Sequence, residues 1–126
     1  MNISRRTLLS LGVGGLALLT APSVWAASTG PRYLGVRRLG DGRAEPFRFA
    51  ACVADAHGRV LRQVNLPARG HGFALRPDGT LAVALARRPG TFAAAFAVSG
   101  NEPARVFHAP TGRHFQGHAV FEPTGR

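Results

Sequence analysis

His71 and His118 occupy the same place in a phrase that the chain writes twice. Each follows a glycine, and each opens a stretch that closes on Pro-x-Gly. The first copy is Gly70-His71-Gly72-Phe73-Ala74-Leu75-Arg76-Pro77-Asp78-Gly79; the second, displaced by 47 residues at the histidine, is Gly117-His118-Ala119-Val120-Phe121-Glu122-Pro123-Thr124-Gly125. A neutral imidazole nitrogen is a ligand for iron, copper or zinc. Histidines at matching points of neighbouring repeats could therefore converge on one metal or one ligand. His114, four residues before His118 in Arg113-His114-Phe115-Gln116-Gly117-His118, lies on the approach to the second of them. A plain structural role competes with this reading. Gly-His pairs recur in WD-type repeats, where they fix a turn and hydrogen-bond the neighbouring unit.

Three arginines form a second candidate set. Arg87 and Arg88 stand at the turn Arg87-Arg88-Pro89-Gly90, and Arg113 precedes the second Gly-His phrase. Planar guanidinium groups there could hold a carboxylate or phosphate; the competing role is that of solvated loop charges. No established catalytic signature accompanies these residues. The sequence has no Gly-x-Ser-x-Gly elbow, no Cys-x-x-Cys-His, no His-Glu-x-x-His and no glycine-rich phosphate loop. Its single cysteine, Cys52, sits in the apolar run Phe47-Arg48-Phe49-Ala50-Ala51-Cys52-Val53 and reads as a small buried hydrophobe.

The repeat also says what must position these groups. Between the two copies lie only short apolar runs and turn residues, which predicts four strands per repeat and thus blades of a β-propeller. Strands are expected at 71–76, 81–86, 91–98 and 104–108, with the next blade opening at His118. In the preceding blade they fall at 33–38, 47–54 and 59–66, the last two joined by the turn Asp55-Ala56-His57-Gly58. The expected fold class is all-β: about two and a half blades of a seven-bladed, WD- or YVTN-like propeller, preceded by a signal helix. Seven blades at this period need roughly 330 residues, so the 126-residue chain reads as the N-terminal part of a longer propeller, truncated in the gene or in the record.

The formal charge of +10 comes from 16 arginines and no lysine against six acids. Such a balance invites a nucleic-acid reading. It is set aside because the arginines are scattered along the chain and no recognition motif accompanies them. Anionic ligands and acidic partners stay compatible with the charge.

Ser4-Arg5-Arg6-Thr7-Leu8-Leu9 resembles the twin-arginine export signal, with Leu8 where phenylalanine is commoner. The apolar stretch 8–19 carries Gly12, Gly14 and Gly15 and falls short of the roughly 20 residues of a stable transmembrane span. Pro22 follows, and Val24-Trp25-Ala26 supplies the small residues of a cleavage site, so cleavage is expected between Ala26 and Ala27. The domains are accordingly a signal peptide over 1–26 and propeller blades over 27–126. The resemblance implies the twin-arginine machinery as a partner, export in the folded state and a periplasmic location.

The stretch 69–126, with its phrases Ala-Arg-Gly-His-Gly-Phe-Ala, Arg-Arg-Pro-Gly-Thr-Phe and Gly-Arg-His-Phe-Gln-Gly-His, resembles the domain-of-unknown-function 1513 family. The resemblance implies a twin-arginine-exported propeller with no established activity. It also implies an iron-linked role in the envelope beside periplasmic iron-uptake proteins. Three expectations result: a periplasmic binding or interaction module of unknown ligand; a redox or hydrolytic propeller enzyme whose transition metal is held by channel histidines; and a non-functional gene fragment.

Overall fold

A computed structural model of the chain describes residues 30–41, 43 and 46–126. These residues form seven strands and no helix: β1 (Arg32–Leu39), β2 (Arg48–Asp55), β3 (Val60–Leu66), β4 (Gly70–Leu75), β5 (Leu81–Ala86), β6 (Phe92–Ala97) and β7 (Arg105–His108). They build two antiparallel meanders, one of order β1-β2-β3 and one of order β4-β5-β6-β7. The all-β expectation holds, with strand ends within a residue or two of those predicted. The signal residues Ser4, Arg5, Arg6, Leu8 and Leu9 and the cleavage pair Ala26 and Ala27 lie outside the described residues.

Period-two patterning explains which faces meet. Along β3, Arg62, Val64 and Leu66 are buried while Gln63 and Asn65 are exposed, the signature of a strand with one face on a core. In the second sheet Ala82 pairs with Phe96 and Ala84 with Ala94. Phe92, Phe96 and the small alanines around them pack against Ala51, Val53, Val64 and Leu66 of the first sheet. Alanines opposite phenylalanines let the sheets approach while the rings fill the space between them. Cys52 lies between Ala51 and Val53 on the opposite face of β2. It is buried, its thiol donates to the Gly35 carbonyl at 3.4 Å, and burial pushes its pKa up against a smaller opposing effect of Arg37.

Turns are set by the expected residues. Asp55 Oδ1 accepts from the backbone N–H groups of His57 and Arg59 at 3.0 and 2.9 Å, and Gly58 takes a φ of 77°. Asp78 does the same for the Thr80 N–H at 2.9 Å in the turn after β4.

One expectation is corrected. The second Gly-His phrase does not open a strand: none lies within 117–126. A strand exists through ladder hydrogen bonds to a neighbour, and here the backbone bonds locally instead, Glu122 N–H to the Arg126 carbonyl and Gly125 N–H to the Glu122 carbonyl, each at 2.8 Å. The segment nevertheless runs alongside β4 in the same direction. Gly117 lies against His71 and Gly72, and Pro123, Thr124 and Gly125 share a cleft with Arg76, Pro77 and Asp78.

Candidate functional site

His71 owes its position to an irregularity in β4. Gly70 pairs with Ala86 and Gly72 with Leu85, so His71 is the extra residue of a β-bulge. Bulges re-aim a side chain without ending the strand. The sequence holds the matching signal: five residues separate His71 from Pro77, whereas four separate His118 from Pro123. The exposed His71 ring meets that of His118 edge to face, with centroids 5.1 Å apart and planes at 90°.

Two glycines make this approach feasible. A Cβ on Gly72 would collide with the Gly117 carbonyl oxygen, and one on Gly117 would lie 2.8 Å from the His71 ring. Gly117 also has a φ of 87°, which side-chain-bearing residues rarely adopt. The two copies of the phrase thus touch through their glycines, and the histidines beside those glycines come together.

The loop between β5 and β6 brings in the arginines. Arg87 N–H donates to the Arg69 carbonyl at 2.9 Å, prolonging the β4–β5 ladder. Beyond it the Arg88–Pro89 peptide bond is cis, and Gly90 forms a bridge with Phe115, whose N–H donates to the Gly90 carbonyl at 2.9 Å. That bridge draws the 113–118 segment across the loop. Arg88 Nη1 donates to Gln116 Oε1 at 3.1 Å, and Gln116 Nε2 lies 3.2 Å from His114 Nε2. Because the amide nitrogen can only donate, His114 Nε2 is the acceptor in this pair.

His71, Arg87, Arg88, Gln116 and His118 line one cleft of about 470 Å³. The structure therefore unites four of the residues singled out by sequence. His114 joins through Gln116 rather than by facing the cleft. Arg113 does not join: its N–H closes a turn on the Pro110 carbonyl at 3.0 Å, and its exposed side chain is not part of the lining. Among the described residues no group of three or more His, Cys, Asp or Glu is arranged to hold a metal ion. The set is rich in donors and contains no carboxylate, so the chemistry it offers is recognition of an acceptor or an anion.

Gln116 is the participant that sequence reasoning passed over. Its place between two histidines of one short phrase was the available signal.

A family model described as "Protein of unknown function (DUF1513)" matches residues 64–126, the stretch that holds β4 to β7 and both Gly-His phrases. No curated protein and no solved structure matches the chain.

Proposed function

The chain belongs to the DUF1513 family of proteins of unknown function, and from that premise we propose that it is a periplasmic binding module, exported by the twin-arginine route, whose ligand enters the cleft between the two Gly-His phrases. One observation carries the reading: residues from β4, from the β5–β6 loop and from the 113–118 segment converge on one exposed, donor-rich cleft. Isolated surface charges have no reason to converge in this way, whereas binding sites are built so.

We further propose that the two meanders are neighbouring propeller blades. A four-stranded antiparallel meander is the unit of that architecture. Support comes from the segment 117–126, which runs beside β4 in the same direction, as the innermost strands of rotationally related blades do around a channel. In that architecture the cleft lies at the channel mouth, between one blade and the next.

The His71–His118 ring pair favours a second reading, a periplasmic redox or hydrolytic enzyme with a transition metal on those imidazoles. Metal analysis of the protein from its native periplasm, alongside His71→Ala and His118→Ala variants, separates the two. Absence of stoichiometric metal is expected of the binding module. One equivalent of metal, lost in both variants, would replace it by the metal enzyme.

A further inference from the structure

His71 is shared by two clefts. One is the donor-rich cleft; the other, of about 510 Å³, is lined by Val36, Arg38, Phe47, Phe49, Arg69 and Gly70 together with His71. This second cleft lies between the sheets, where β1 and β2 meet the start of β4. Its character is different. Val36 and the two phenylalanines give it an apolar wall, and the Arg38 guanidinium stacks over the Phe47 ring at 4.7 Å. Both volumes fall in the range of small-molecule sites.

The charge around His71 is one-sided. Arg38 and Arg69 line one cleft and Arg87 and Arg88 the other, no acid lines either, and among the described residues none of the four makes an ion pair. The backbone bond from Arg87 to Arg69 sets two of these cations opposite each other at the end of the β4–β5 ladder. Like charges placed opposite one another destabilise a sheet. By contrast Arg59 and Arg76 are each paired with an aspartate, at 3.0 and 2.9 Å. Four arginines without an acidic partner thus surround an exposed imidazole, next to an aromatic wall.

We infer that the two clefts are halves of one site for an organic anion with a flat apolar body and a carboxylate head. The body lies along Phe47, Phe49 and Val36; the carboxylate is taken by guanidinium groups and by His71 at the junction. A carboxylate matches the forked donors of arginine, and the aromatic wall selects the body attached to it. This assignment rests on the binding-module reading and gives that module its ligand class.

The test is calorimetric titration of the full chain with four probes: 2-naphthoate, acetate, inorganic phosphate and the neutral 2-naphthamide. 2-Naphthoate should saturate one site, at least tenfold more tightly than any of the other three, and should weaken as salt is raised. Arg69→Gln and Arg88→Gln, one from each cleft, should each weaken it at least tenfold, in proteins whose circular dichroism and thermal midpoint match the parent. Acetate or phosphate binding as well as 2-naphthoate would show that the two clefts do not act together. Equal binding of the amide would remove the anion. Binding of none of the four would overturn the ligand class and leave the binding module standing, since that reading falls only to the metal analysis above.

Discussion

Arg62 of β3 reaches out of its own sheet and donates, through Nη2, to the backbone carbonyl of Glu102 at 2.5 Å. Its Nη1 donates to the carbonyl of Gly100 in the same β6–β7 turn. Arg62 sits on the core face of β3, opposite Val53, and is only 6% exposed. A buried cation is tolerated where acceptors meet it, and here the acceptors are carbonyls of the neighbouring sheet. The side chain therefore ties one meander to the other. Its Nε, buried without a partner, marks what this tie leaves unsatisfied.

Arg62→Ala should lower stability by about 3 kcal/mol, since it removes two charge-assisted hydrogen bonds, orphans their acceptors and leaves a cavity. Arg62→Met fills the volume and removes the unsatisfied Nε, so its loss should be about half as large. Denaturant unfolding of the two variants measures the difference. Undiminished stability of Arg62→Met would show that packing, and not the tie to Gly100 and Glu102, is what Arg62 supplies.

Acid should loosen the turn that follows β4. The Arg76 guanidinium, first, and then the N–H and hydroxyl of Thr80 hold the Asp78 pKa down at about 2. Burial works against ionisation of Asp55, but the N–H groups of Arg59 and His57 and the Arg59 side chain outweigh it and leave that pKa lowered too. A carboxylate with a depressed folded pKa stabilises the fold fully above its unfolded value of about 3.9, and the contribution disappears as pH falls toward the folded value. Asp78→Asn should therefore lower the thermal midpoint at pH 7, and its midpoint should fall less than that of the parent between pH 5 and pH 2. Parallel midpoint curves for the two proteins would count against this account.

Gly117 is the contact on which the histidine pair depends. Gly117→Ala should lose about 1–2 kcal/mol from the left-handed backbone alone and should also push the His71 ring away from His118. Gly125→Ala supplies the control. Its φ is 82°, but its added methyl would meet only the Arg76 side chain, at 3.4 Å. Contacts between the His71 and His118 ring protons, read by nuclear Overhauser effects, should vanish in the first variant and persist in the second. Their survival in Gly117→Ala would mean that the pair is held by something other than the close approach of the two phrases.

Export is testable apart from the fold. Replacing Arg5 and Arg6 by lysine keeps the charge but removes the planar forks, and should leave the protein in the cytoplasm with residues 1–26 attached. Intact mass of the periplasmic protein should correspond to a start at Ala27. Undiminished export of the double variant would rule out the twin-arginine route.

Strand order and turn chemistry were legible because they are local. Alternation along 59–66, Pro77-Asp78-Gly79 and Asp55-Ala56-His57-Gly58 each dictate a conformation through neighbours a few residues away, and the structure places strands and turns there. The repetition of the Gly-His phrase was legible too, as a spacing, but not that its second copy forms no strand. Tertiary structure alone decided that a bulge re-aims His71, that Gly90 and Phe115 bring Gln116 between Arg88 and His114, and that Arg38 and Arg69 face an aromatic wall. It also decided that the second Gly-His phrase lies beside β4 without pairing. These relations depend on how two sheets stack and on a one-residue shift of register, and such contacts between distant residues leave no periodic trace in the sequence.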